Sequence, residues 1–152
     1  MTDNGTARGT QSGDAQYAGD ITVLQAWDML KSNPDSILID VRTNAEWAYV
    51  GIPDLSALNK KTHTVSWVLF PDMSVNPSFL EGVKAAQPQP SAPVLFLCRS
   101  GVRSIAAAIA ATTAGYDNCY NILGGFEGDP DSDHHRGKTS GWKAENLSWV
   151  QS

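Results

Sequence analysis

Apolar and polar positions fall along this chain in blocks whose lengths separate strands from helices. Val94–Leu97 is an apolar run of strand length that ends at Cys98, and residues 105–114 form an alanine-rich run of helix length that stops at Gly115. Only a short loop, Arg99-Ser100-Gly101-Val102-Arg103, separates them, so residues 92–115 read as strand, tight loop and helix. Upstream, Thr22 and Gln25 have capping-box spacing before Leu24, Trp27 and Leu30 on one face, and Asn33-Pro34 closes the segment. This predicts a helix with Trp27 in the core.

Residues 36–41 are an apolar, β-branched run of the kind that sits in a parallel sheet covered on both faces. Thr43 then caps a short helix, with Glu46 at the capping-box position. Residues 51–63 read as a long loop and residues 64–70 as a third strand. Asn76-Pro77 marks a helix start before Phe79, Leu80 and Val83, and residues 88–90 close that helix. A last strand spans 116–123, and Gly124-Gly125 turns the chain at its end. Trp142, Leu147 and Trp149 return apolar surface to the domain. The alternation predicts an α/β fold: a mostly parallel central sheet of about five strands with helices on both faces. Residues 18–152 read as one domain, after a polar, disordered tail over 1–17. There is no internal repeat.

Composition narrows the function. A chain of 152 residues, 41% hydrophobic, supports one core that buries about 68 to 70% of its unfolded surface. A net charge of -5 argues against nucleic acid or an anionic membrane as the main partner. The longest weakly polar stretch, residues 105–114, is about half a membrane span, and residues 1–19 lack an apolar h-region. A cytoplasmic protein is therefore expected. The two cysteines read as free thiols in a reducing compartment, with a Cys98 to Cys119 bridge as the alternative.

The loop before the long helix is where candidate chemistry concentrates. A helix start offers unpaired N–H groups and the positive end of its dipole, which together cradle anions. Cys98 should sit at the mouth of that cradle beside Arg99 and Arg103, a setting that favours a reactive, ionised sulfur near neutral pH. Binding sites in parallel sheets lie beyond the carboxyl ends of strands, so Asp40 and Arg42 should share the edge of Cys98. His63 reads as structural or solvated, and Cys119 as an inert core thiol. Asp129, Asp131 and Asp133 match the first three ligand positions of an EF-hand loop. His134 in the sixth place and Ser140 in the twelfth exclude calcium there, and His134-His135 with these aspartates reads as a solvated loop. No metal and no cofactor is expected.

Cys-Arg-Ser-Gly-Val-Arg-Ser at 98–104 resembles the active-site loop of the rhodanese family of sulfurtransferases. Asp-Val-Arg-Thr-Asn-Ala-Glu-Trp at 40–47 is similar to the family's first signature. Asn-Ile-Leu-Gly-Gly-Phe-Glu-Gly at 121–128 is similar to the segment after its last strand, and residues 141–149 to its C-terminal segment. The resemblance covers residues 18–149 in order. It implies that Cys98 takes a sulfane sulfur from a donor such as thiosulfate, holds it as a persulfide, and passes it to a thiol or cyanide. A persulfide carrier or regulatory module serving a protein partner is the alternative.

The resemblance also distributes roles. Arg103 would hold the donor's sulfonate oxygens in a forked pair, and Arg99 would steer anions or line the entrance. Arg99, Ser100, Gly101, Val102 and Ser104 would form the substrate loop, with Gly101 letting its amides point inward. Ser100 and Ser104 are candidates for bonding sulfur or capping the helix, the cap being favoured for Ser104. Asp40, Arg42 and Glu46 either pair to hold the loop or form plain surface ion pairs.

Two departures stand out: Val-Gly-Ile replaces Gly-His-Ile at 50–52, and the segments 54–75 and 127–141 are long. The long segments are expected to shape the acceptor pocket. Trp67, Phe126 and Trp142 are candidates for its walls, core packing being favoured for each. Related phosphatases and arsenate reductases place five residues between cysteine and arginine. Here there are four, a smaller ring better suited to sulfur than to phosphate.

Overall fold

The computed structural model of the protein describes residues 16–69 and 72–151. Most of the tail assigned to 1–17, and Phe70 of the third predicted strand, lie outside that range. Gly19–Ile21 forms β1, a three-residue strand too short to leave a periodic signal in the sequence. Val23–Ser32 forms α1, which opens on the capping box of Thr22 and Gln25. Its buried stripe is Val23, Ala26 and Leu30; Leu24 is exposed and Trp27 half-buried, so the apolar face is rotated from the one predicted. Trp27 meets Trp142 edge-on, with ring centroids 6.0 Å apart.

Ile37–Asp40 is β2 and Asn44–Tyr49 is α2, whose capping box is the predicted Thr43 and Glu46. The segment read as a loop contains Ile52–Pro53 (β3), a single 3-10 turn at Ser56–Leu58, and His63–Thr64 (β4). Lys60 anchors it, donating from Nζ to the carbonyls of Asn33, Pro34 and Ser36 just beyond the end of α1. The single strand predicted over 64–70 is broken. After β4 the chain leaves the sheet and makes a hairpin from Val68–Leu69 (β5) and Ser74–Val75 (β6).

Phe79–Ala86 forms α3, starting later than Asn76-Pro77 predicted. The Asn76 side chain accepts from Ser78 N–H at 3.0 Å, an Asx turn that precedes the helix. Val94–Leu97 is β7, Arg103–Thr113 is α4, Cys119–Ile122 is β8 and Trp149–Val150 is β9.

The main sheet runs β1-β8-β7-β2-β4, with every neighbouring pair parallel. Successive side chains of a strand point to opposite faces, so this sheet builds two cores. On one face Ile39, Val94 and Phe96 meet Phe79 and Val83 of α3 and Ala107, Ala108 and Ala111 of α4. On the other, Leu38, Leu95, Leu97 and Ile122 meet Val23, Ala26 and Leu30 of α1, together with Leu55, Phe126 and Trp142. Each large side chain buried this way contributes about 1.5 to 3 kcal/mol. The α/β class with helices on both faces is as predicted. No helix among the described residues is long and apolar enough to cross a membrane.

Candidate active site

The central position of β7 sets the site. All four of its residues are buried, and its carboxyl end opens on the same sheet edge as the end of β2, since Asp40 lies opposite Leu97. Cys98 follows directly, and after four intervening residues α4 begins at Arg103.

Two glycines make so short a turn feasible. Gly101 has φ +99, a conformation that disfavours any side chain. Gly125, at φ +60, lies so close that a Cβ there would sit 2.4 Å from the carbonyl oxygen of Cys98. That contact lets the turn after β8 pin the loop: Phe126 N–H donates to Cys98 at 2.8 Å, and Glu127 N–H to Arg99 at 2.9 Å.

Cys98 is 1% exposed, so the sulfur is recessed and does not sit at the mouth that the sequence predicted. It lies on the floor of a cavity of about 590 Å³ whose walls are Glu46, Val50, Met73, Arg99, Ser100, Val102, Arg103 and Glu127. Gly101 N–H donates to Sγ at 3.1 Å, and Ser104 Oγ lies 3.2 Å from it. Among the described residues, Gly101 is the backbone donor that reaches the sulfur.

The roles expected of Arg103 and Ser104 change. Both terminal nitrogens of Arg103 donate to Glu46, each at 2.9 Å, so its fork grips a carboxylate of the protein and not a donor's oxygens. This pairing raises the Arg103 pKa, led by the hydrogen bond to Glu46. Burial pushes Glu46 up, but hydrogen bonding and charge from Arg103, together with the Thr43 bonds, hold it below the usual carboxylate value. Glu46 thus caps α2 and ties that helix to the start of α4.

Ser104 makes no cap. The N-cap residue of α4 is Val102, which gives no side-chain cap, and Ser104 is buried, donating to Asn121 Oδ1. Arg99 is exposed on the cavity wall, and no partner for its side chain is found among the described residues.

Asp40 and Arg42 are not a surface pair. Both are fully buried; the Arg42 fork grips Asp40, donates to the Gly51 carbonyl at 2.7 Å, and stacks 4.3 Å from the Phe126 ring centroid. They brace the sheet end beside Cys98 without lining its cavity. Phe126 and Trp142 are fully buried in the core, and Trp67 packs edge-on to Phe79; none is a wall. The long segments do contribute, through Met73 and Glu127.

Cys119 is a free, buried thiol pushed up to about 11 by burial, and Cys98 is also free, so no bridge joins them. Asn121 and Asp20, which continue the polar contacts beyond Ser104, carry no signal in the sequence beyond the motif in which Asn121 stands. No group of metal-ligating side chains occurs among the described residues.

Comparison with known proteins agrees with this architecture. The Rhodanese-like domain family matches residues 22–129. The crystal structure of Rv0390 from M. tuberculosis superimposes with a TM-score of 0.82 at 50% identity, covering 90% of this chain and 99% of that one. Uncharacterized protein RC0915 of Rickettsia conorii is 45% identical over 129 residues, 85% of this chain and 94% of the relative. A more distant relative is the thiosulfate sulfurtransferase GlpE of Haemophilus influenzae, 30% identical over 109 residues, 72% of this chain and 85% of that one. The parallel sheet, the loop that follows its central strand and the match over most of the chain converge, and the protein belongs to the rhodanese-like domain family.

Proposed function

We propose that this protein is a sulfurtransferase that moves a sulfane sulfur from thiosulfate, or a persulfide donor, to a thiol or cyanide through a Cys98 persulfide. The observation that carries the reading is the Cys98 sulfur on a cavity floor, bonded by Gly101 N–H and reached past the exposed Arg99. The thiolate attacks the outer sulfur of thiosulfate, the S–S bond breaks, and sulfite leaves with the electron pair. The acceptor then attacks the outer sulfur of the persulfide, and the Cys98 thiolate is released.

A recessed sulfur favours a slender donor. Among the described residues, Arg99 is the cavity arginine left without a partner and so the cation for the sulfonate, because Glu46 occupies the Arg103 fork. The same pairing counts against a phosphatase, whose arginine must hold phosphate oxygens. Ser100, Gly101 and Val102 shape the loop. Residues 18–152 act as one unit, in a reducing cytoplasm that keeps both thiols free.

A second reading has support of its own. Val102 is 72% and Met73 45% exposed at the cavity, an apolar rim suited to a protein acceptor in a persulfide carrier. Intact mass spectrometry tests the main reading. Thiosulfate adds one sulfur atom to Cys98, and cyanide removes it as thiocyanate. Absence of the adduct, with phosphate released from an aryl phosphate, overturns it. Loading without turnover on small acceptors selects the carrier.

A further inference from the structure

The geometry points to Asn121 and Asp20 as positioning residues that decide which way the Ser104 hydroxyl faces, and so how readily Cys98 ionises. The inference deepens the reading of Cys98 as the nucleophile and rests on it.

A line of polar side chains crosses the sheet edge here. Tyr17 hydroxyl donates to Asp20 Oδ1 at 2.9 Å, Asn121 Nδ2 donates to the same oxygen at 3.0 Å, and Ser104 donates to Asn121 Oδ1. Ser104 Oγ then lies 3.2 Å from the Cys98 sulfur. Asn121 and Ser104 are fully buried, whereas Asp20 is exposed at the far end on β1, directly opposite Asn121 in register.

Donor counting fixes the direction. A carboxylate only accepts, so Asp20 requires the NH2 of Asn121 and turns its carbonyl oxygen to Ser104. Ser104 has a single proton, which goes to Asn121. Its lone pairs therefore face Cys98, where they can accept from a thiol but cannot donate to a thiolate. An amide does not readily pass protons, so this line sets orientation and is not a proton wire. It opposes Gly101 N–H, which favours the ionised sulfur.

Other charges lie around Cys98, in its cavity or bracing the sheet end beside it. Arg103 of α4 is paired with Glu46 of α2, Arg99 lies in the loop, Glu127 follows the turn after β8, and Asp40 with Arg42 closes β2. None is altered by a change at Asp20, so they cancel between variants.

In Asp20→Ala, Asn121 is free to turn over and donate to Ser104, which releases the hydroxyl proton to the sulfur. Peptide-resolved alkylation by iodoacetamide across pH reads the outcome at Cys98 without any sulfur donor, so its result is separate from the sulfur-transfer reading. The expected result is a half-reactive pH lower by about one unit, a tenfold change in the ionisation equilibrium. In the Ser104→Ala background, or in Asn121→Ala should that variant fold better, the same Asp20→Ala change shifts nothing. No shift in the parent, or an equal shift in both backgrounds, overturns the inference; the latter result assigns Asp20 a through-space charge effect alone.

Discussion

The protein holds two cysteines that burial does not tell apart. Cys98 and Cys119 are 1% and 0% exposed and belong to the same apolar cluster; Cys98 directly follows β7, and Cys119 opens the adjacent parallel strand β8. They lie at opposite ends of the sheet. Cys119 opens β8 opposite Val94, where apolar side chains surround it and burial pushes the thiol up to about 11. Cys98 follows the end of β7, where a backbone N–H, a serine hydroxyl and two arginines converge. Equal burial therefore leaves the two thiols in different surroundings. In a parallel sheet the carboxyl end of a strand delivers a side chain to loops and helix starts, and the amino end does not.

Exchanging the two residues' fates tests this first. Cys98→Ser should abolish sulfur uptake from thiosulfate and lower turnover by at least about 10³-fold, as loss of a nucleophile does. Cys119→Ala should leave turnover within about twofold, because deleting an apolar-packed thiol touches stability and not the reaction. Thiocyanate formation measures both. Comparable losses from the two substitutions would end the distinction.

Much of that distinction was legible beforehand, because it rests on local patterns. The apolar run ending at Cys98, the capping boxes at Thr22 and Thr43, and the glycine turn at 124–125 are short-range signals, and the structure contains each of them. What failed depends on partners distant in sequence. Glu46 reaches Arg103, 57 residues away, and thereby removes the fork assigned to a donor anion. Ser104 looked like a cap because it stands near a helix start, yet Asn121 on the neighbouring strand draws its hydroxyl into the sheet. β1 has three residues, too few for a period, and its place comes from register with β8. Residues 65–69 of the predicted third strand leave the sheet, since β2 pairs with β4 at Ile39 and Asp40 alone.

The two ends should also respond differently when their supports are removed. Apolar packing and hydrogen bonds between neutral groups secure the surroundings of Cys119, whereas a buried ion pair braces the end near Cys98. Arg42→Ala would leave the Asp40 carboxylate buried without its cation, which costs about 3 to 5 kcal/mol. Urea unfolding reads that loss, and hydrogen exchange should rise first in the Cys98 loop and only later around Cys119. Replacing the pair together, as Asp40→Leu with Arg42→Met, should recover most of the stability. Uniform exchange across both ends would show that the pair supports the whole sheet and not this edge.

A smaller effect isolates the clamp between α2 and α4. Glu46 and Arg103 are about one-fifth exposed, so their bidentate pair is worth about 1 kcal/mol. The folded state holds Glu46 below its ordinary value of 4.5, so protonation is harder in the fold than in the unfolded chain. The clamp's contribution is then complete above about pH 4.5 and is lost as pH falls through the lowered folded value. The parent should accordingly exceed Glu46→Gln in stability by about 1 kcal/mol at neutral pH, and the gap should close on acidification below that range. A pH-independent gap would mean that the Glu46 charge contributes nothing through Arg103, which would then be left free for the donor after all. In Cys119→Ala the gap should keep its full size, because that thiol lies at the end of the sheet the clamp does not reach.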